Sequence, residues 1–579
     1  MSEQTHIPPE TPRRAWLLPA LLVTITMAVF APVCHMVFVD WDDPLHTYQN
    51  PYLQTLTWPN LAHLWRGVYE GEYVPVTYMV FAFLSVFGQH RTPAPTPSGG
   101  FSVLNPHAFH TANLVLHLVN TLLVFALLRR LVKHEIGAFF GALLFAVHPV
   151  QVESVAWISE LRGLLSGTLG LLSLHLYLDF ALASQAGAPG RRRAYISALV
   201  LFVLAVLAKP SAVALPVMAL ALDWAVVRRP LRQSLKAIAV WGLAALPIIG
   251  LTRGAQPVPA DLQLPLWQRP LIAGDAIAFY LSKLLLPLHL GADYGRTPAS
   301  VLHGGATACL GLIVVLLLAA LAWRWRVRQP WLPVAFGLFL AALLPVLGFV
   351  PFVFQKFSTV ADRYLYLALL GPALLVAASL AQARHPLRAA VPFDAFLALC
   401  FVLTHAQVGV WRDSGTLFTH AVAVNPRSAQ MRYNLGNVYQ YHGQTAAAIT
   451  QYRDAVRLWP GYAQAHCNLG EALSDSGQRA AAVAEFREAV RLKPDLATGH
   501  LCLGIQLADA GDTPGALSEW QQAVTFAPEN PLARYNLACA LFSQKRSAEA
   551  ADQFREVLRL QPDYGPALQA LRLLTHKKA

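Results

Sequence analysis

From residue 16 to residue 409 the sequence is a succession of apolar blocks of 15 to 24 residues, separated by short basic or Pro/Gly-rich connections. Such blocks leave water by crossing a bilayer, which takes about 20 residues of helix. The candidate crossings are 16-38, 107-128, 137-152, 163-182, 194-208, 211-227, 235-250, 305-323, 331-350, 364-382 and 389-409, while 73-88 and 272-290 are ambiguous. Only 13% of the residues are charged, against about 25% in soluble domains, which excludes a soluble enzyme and a disordered tail. The net charge of +12 fits basic cytoplasmic loops and gives no reason to invoke nucleic acid. Arg13 and Arg14 precede a first block longer than a signal-peptide core, so an uncleaved first span is expected.

The basic clusters sort the loops. With Arg13/Arg14, Arg129/Arg130/Lys133, Arg191/Arg192/Arg193, Arg228/Arg229/Arg232/Lys236, Arg324/Arg326/Arg328 and Arg384/Arg388 all facing the cytoplasm, segments 73-88 and 272-290 are interfacial or re-entrant. Eleven spans then remain, and the C-terminal region lies outside. The expectation is a membrane domain over 1-410, with an outer loop at 39-72 and an interfacial segment at 73-88.

The C-terminal region has a different period. Prolines recur every 34 residues at Pro426, Pro460, Pro494, Pro528 and Pro562. Within that frame stand Leu435, Leu469, Leu503 and Leu537, then Gly436, Gly470, Gly504 and Ala538, with Ala448, Ala482, Ala516, Ala550 and the rings Tyr452, Phe486, Trp520, Phe554 further on. Small residues where two helices cross, a ring filling the gap and a proline ending the second helix resemble the tetratricopeptide repeat. Residues 411-579 are expected to hold four full repeats over 429-562, with a half-repeat before them (Phe418, Ala421, Pro426) and a capping helix at 563-577. The fold class is thus all-α, a polytopic membrane domain followed by a repeat superhelix.

This topology collects the unusual polar residues on one side. The first outer loop carries Asp42 and Asp43, and the second carries His148, Glu153, Glu160 and Arg162. Lys209 follows the fifth span, and Asp362 with Arg363 precede the tenth. Carboxylates at a membrane exit, facing cations at the same depth, suit an acceptor-activating base opposite a phosphate site. Plainer roles compete at each position. Asp42 and Asp43 suit a turn or helix cap, His148 before Pro149 a helix terminus, and Lys209 a side chain reaching lipid headgroups. Asn434, Asn468 and Asn536 either bond within the superhelix or clamp a peptide backbone in its groove. The six cysteines form no CxxC pair and have no zinc-finger spacing, so neither a metal site nor a disulfide framework is indicated.

The order of five segments carries a further resemblance. WDDPLHTYQNPYL (41-53), LNPHAFHTANLVLHLVNTLL (104-123), HPVQVESVAWISELRGLLSG (148-167), AKPSAVALPVMALALDW (208-224) and ADRYLYLALLG (361-371), with the repeats behind them, resemble the transmembrane-and-tetratricopeptide-repeat-containing (TMTC) proteins and their bacterial relatives. That family is a branch of the GT-C class of polytopic glycosyltransferases, so the resemblance implies a GT-C-like membrane domain. It also implies a polyprenyl-phosphate-linked sugar as donor, mannose-like transfer to Ser/Thr of a protein, and Asp42 or Asp43 as catalytic base, with Asp42 favoured. Lys209, Arg363, His148 and Arg162 become the donor-phosphate ligands, and Asn434, Asn468 and Asn536 the acceptor contacts. No metal or other cofactor is expected, and the partners are the lipid-linked donor, membrane lipids and a protein acceptor held by the repeats. The implied location is a bacterial inner membrane with the repeats in the periplasm. Two rivals keep the fold: a non-catalytic envelope scaffold and a lipid-linked oligosaccharide ligase. The chain departs from the family where Ser159-Glu160-Leu161-Arg162-Gly163 stands for Ser-Glu-Arg-Lys-Asp, and where Val74-Pro75-Val76-Thr77 stands for Arg-Pro-Leu-Thr.

Overall fold

The computed structural model describes residues 16–96, 101–256 and 262–576. Arg13, Arg14 and Lys577 lie outside the described residues. The chain divides into two compact units, Met1–Pro426 and Arg427–Ala579.

The first unit is helical, and the chain is an integral membrane protein. Among the described residues, seven helices are long and apolar enough to cross a bilayer: Leu17–His35, Pro106–Val132, Ile158–Gln185, Pro210–Val227, Leu231–Ala255, Ala306–Arg324 and Pro386–Val410. The expected span 137-152 is instead a broken pair, Glu135–Val147 and Pro149–Ala156, bent by 52°. The break falls at His148, where Pro149 removes a backbone donor. Trp331–Val346 and Leu370–Ala381 are shorter apolar helices, and the expected span 194-208 is the helix Arg191–Ala208, which opens on three arginines. The ambiguous segments hold the helices Pro75–Phe87 and Arg269–Leu285. Among the described residues, the all-α pattern is interrupted by one antiparallel strand pair, Gln89–Pro95 with Phe101–Leu104.

The chain after the bend is the segment expected as the second outer loop. Every residue from His148 to Leu161 is buried, folded as three short helical turns, Pro149–Gln151, Val152–Ala156 and Ile158–Glu160. One face of Pro106–Val132 holds this segment. Asn113 donates to the carbonyls of Val155 (3.2 Å) and Trp157 (2.9 Å), and Asn120 to that of Leu164 (3.0 Å). His117 bridges the Ala146 carbonyl and the Tyr366 hydroxyl, both at 3.0 Å. Residues 113, 117 and 120 share one helix face by their i, i+4, i+7 spacing, so an apolar span carries a polar stripe that anchors irregular backbone inside the protein.

The helix Ser414–Val424, expected as the opening half-repeat, is counted with the first unit. The Asp40 amide donates to Ser414 Oγ (2.9 Å), Trp41 packs near Phe418 (ring centroids 6.4 Å apart), and His420 Nε2 lies 2.7 Å from the Leu290 carbonyl oxygen.

The second unit contains paired helices at the 34-residue period, from Ala429–Tyr441 and Thr445–Leu458 to Pro531–Ser543 and Ser547–Leu560, followed by Gly565–His576. The recurrent glycine has a steric cause. A Cβ at Gly436, Gly470 or Gly504 would come within 2.5 Å of Tyr452, 2.8 Å of Phe486 or 2.5 Å of Trp520. Gly470→Ala is therefore expected to lower the thermal stability of the repeats by about 1–3 kcal/mol, whereas Ala538→Gly in the fourth repeat is expected to cost no more than the helix penalty of about 1 kcal/mol. Circular-dichroism melts of the two variants separate these outcomes.

Candidate functional site

Three of the four expected phosphate ligands converge on one carboxylate. Glu160, whose side chain is 1% exposed, receives Lys209 Nζ at 2.6 Å, Arg162 Nε at 3.5 Å and Arg363 Nε at 3.8 Å. Two further carboxylates complete the cluster. Arg162 pairs with Glu72, and Arg363 pairs with Glu153 through Nη1 at 2.5 Å and its own backbone amide at 2.9 Å. Three cations thus face three carboxylates at the end of the buried 148–162 segment, each charge held by a partner as burial requires. The Arg363 guanidinium also lies over the rings of Phe354 (4.3 Å) and Tyr364 (5.0 Å), which fixes its plane.

Lys209 and Arg363 line the same cavity, together with Ser166, Ser211 and Tyr364. Its remaining wall is apolar, formed by Leu215, Met218, Ala342 and Val346 among others. The Lys209 ammonium has three donors and gives one to Glu160, so donor capacity is left for an anion. The lining thus sets two cations beside apolar side chains, a combination that suits an anionic group joined to hydrocarbon.

His148 is placed elsewhere. Its Nδ1 accepts from the Val150 amide (3.4 Å), its Nε2 lies 3.2 Å from the Leu284 carbonyl oxygen, and it is absent from the cavity lining. One ring nitrogen serves the backbone at the helix break and the other faces the end of the helix Arg269–Leu285.

The adjacent aspartates have unlike surroundings. Asp43 is fully buried and accepts three hydrogen bonds, from the amides of Val39 and Ser159 at 3.1 Å each and from Ser159 Oγ at 2.7 Å. Burial pushes its carboxyl up to about 7, against the pull of those donors. Asp42 is half-buried, its carboxylate makes no hydrogen bond among the described residues, and it is within electrostatic reach of Arg162 and His46. Asp43 ties the first outer loop to the 148–162 segment, while the Asp42 carboxylate stays free of hydrogen bonds among the described residues and, like His148, is absent from the cavity lining. Asp40, one turn earlier, is raised to about 6 by burial and accepts from Tyr48 at 3.2 Å.

In the repeats, Asn468 donates to the Tyr433 hydroxyl (3.2 Å) and to Asn437 (2.9 Å) in the preceding repeat, and Asn434 accepts from Gln430 one turn earlier (3.1 Å). Asn536 is half-buried. Asn468 and Asn434 are thus hydrogen-bonded within the superhelix.

Similarity to known proteins points the same way for both units. Residues 433–497 and 503–565 match the Tetratricopeptide repeat family. The second unit is a tetratricopeptide-repeat array. The chain is 24% identical over 367 residues to Protein O-mannosyl-transferase F38B6.6 of Caenorhabditis elegans, covering 60% of this chain and 50% of that protein. It is 41% identical over 86 residues to Protein O-mannosyl-transferase TMTC1 of Mus musculus, covering 14% of this chain and 9% of that protein. The chain thus spans about half the length of the first of these relatives and under a tenth of the second. Among solved structures, YrrB, described as a tetratricopeptide-repeat protein with an unusual peptide-binding site, is 22% identical, covering 32% of this chain and 97% of that one with a TM-score of 0.25. The chain is similar to TMTC-named protein O-mannosyl-transferases and carries tetratricopeptide repeats as its second unit.

Proposed function

We propose that this protein is a GT-C-type membrane glycosyltransferase that moves a sugar from a polyprenyl-phosphate donor to Ser or Thr of a protein acceptor. The observation that carries the proposal is the cavity that Lys209 and Arg363 line together with apolar side chains, while the carboxylate of Asp42, outside that lining, interacts electrostatically with Arg162 of the same charge cluster. The donor's phosphate lies against Lys209 and Arg363 and its lipid chain along Leu215, Met218 and Val346. Asp42 takes the proton from the acceptor hydroxyl as its oxygen attacks the anomeric carbon. The bond from that carbon to the phosphate oxygen breaks, and the lipid monophosphate leaves carrying the negative charge. Lys209 and Arg363 bind that charge most strongly as it develops, which is how fixed cations lower a barrier of this kind. Arg162, two residues after Glu160, supplies a cation to this cluster despite the local departure from the family's pattern. His148 has no part in the reaction. The similarity to protein O-mannosyl-transferases supports mannose as the sugar and protein as the acceptor; the proposal adds that the repeats bind that acceptor on the outer face of a bacterial inner membrane.

Lys209→Met tests the donor site directly. A hydrogen bond to a charged group contributes about 1.5–3 kcal/mol, so binding of polyprenyl phosphate to the purified protein in detergent is expected to weaken by about 10- to 100-fold. Unchanged binding would remove Lys209 from the site. Sidedness is tested by a reporter at the C-terminus, which is expected to be active in the form that reports the periplasm and silent in the cytoplasmic form.

A further inference from the structure

The repeats contain a cluster that transfer does not use. The Sγ atoms of Cys467 and Cys502 and a carboxylate oxygen of Glu471 all lie within 4.8 Å of one another. Cys467 and Glu471 are four residues apart on the helix Ala463–Asp475, hence on one face, and Cys502 comes from Ala497–Asp509 of the next repeat. The thiol of Cys502 donates to Glu471 at 3.3 Å.

The 34-residue frame shows what is unusual here. Between the first two repeats, the corresponding positions are Tyr433, Asn437 and Asn468, which form the hydrogen-bonded contact described above. Between the third and fourth they are Leu501, Ile505 and Asn536. At the middle interface alone, all three positions carry metal-ligating side chains. Ordinary hydrogen bonding is served by the first set and packing by the last, so neither need calls for two thiols and a carboxylate.

We propose that Cys467, Glu471 and Cys502 bind a thiophilic divalent cation of the zinc class, joining the second repeat to the third. Tetrahedral zinc at Zn–S of about 2.3 Å and Zn–O of about 2.0 Å sets S and O about 3.5 Å apart and two S about 3.8 Å apart. The Cys502–Glu471 pair is already near that separation, and small side-chain rotations bring Cys467 in. Binding displaces the two thiol protons into solvent, and Zn²⁺ undergoes no redox change. Cys502 and Glu471 are half-buried and Cys467 is buried, so the ion enters from the solvent side, where water takes the fourth position.

The test uses the full chain in detergent, stripped with a chelator and then given Zn²⁺ or Co²⁺ alone. One equivalent of zinc is expected to remain after desalting, and the cobalt form is expected to show thiolate-to-metal charge-transfer absorption. Cys502→Ser is expected to lose both, Glu471→Gln to weaken retention while keeping the absorption, and Cys539→Ser to change neither. In the unsubstituted chain, zinc is expected to slow alkylation of Cys502 and leave Cys539 unaffected, a readout that does not depend on any variant folding. Zinc retention equal in Cys502→Ser, absence of the charge-transfer bands, or a Cys467–Cys502 disulfide in the purified chain would overturn the proposal.

Discussion

Asp42→Asn is expected to cut sugar transfer by about 10²- to 10⁴-fold, the usual loss when a positioned general base is removed, and to leave the protein's abundance and thermal stability unchanged. Asp42 makes no hydrogen bond through its carboxylate among the described residues, so an amide there breaks nothing. Asp43→Asn is expected to behave differently. All three groups facing that carboxylate are donors, the amides of Val39 and Ser159 and the Ser159 hydroxyl. An amide NH₂ set against a backbone N–H leaves a buried donor unsatisfied, at about 1–3 kcal/mol. Activity and melting temperature are expected to fall together. Glycoform mass spectrometry of acceptor proteins, paired with melts of both variants in detergent, reads the two effects separately. A fully active Asp42→Asn protein would defeat the proposed base, and with it the preference for transferase over scaffold.

Glu160→Gln has the largest expected effect on stability. The carboxylate faces Lys209, Arg162 and Arg363 at a site 1% exposed. Neutralising it leaves three cations with two carboxylates. Breaking a buried charge pair in this way costs about 3–5 kcal/mol, enough to lower the yield of folded protein severely. Adding Lys209→Met to Glu160→Gln removes an orphaned charge as well as its partner, and is expected to recover about 1–3 kcal/mol of that loss as a coupling energy. A double-mutant cycle in detergent measures it. If the single variant melts like the parent, Glu160 is not the hub that holds the cations.

These experiments bear on residues that the sequence treated unequally. Lys209, Arg162 and Arg363 were legible because a cation at the end of an apolar block is conspicuous. Of their partners, Glu153 and Glu160 stand out in the same outer loop but with nothing to say which cation each one meets, and Glu72 does not stand out at all. The pairs Arg162–Glu72 and Arg363–Glu153 join positions 90 and 210 residues apart, and no local pattern reports a contact of that span. His148 is ambiguous for the opposite reason: its place before Pro149 suits either a ligand or a helix end, and the structure adds two backbone contacts to its ring. The cysteines escaped because their pairing runs through the repeat, where Cys467 and Cys502 stand one position out of phase with the 34-residue frame.

The sequence by itself determined the helical class, the apolar blocks of the first unit and the register of the repeats. Those features depend on side chains within a turn or a repeat of one another, and hydrophobic period and proline spacing encode them directly. Tertiary structure alone decided that the chain after His148 is packed inside the protein, which of two adjacent aspartates keeps a free carboxylate, and which charges share a cavity. Each depends on packing between segments far apart in the chain, where a half-turn of one helix exchanges a buried partner for an open face.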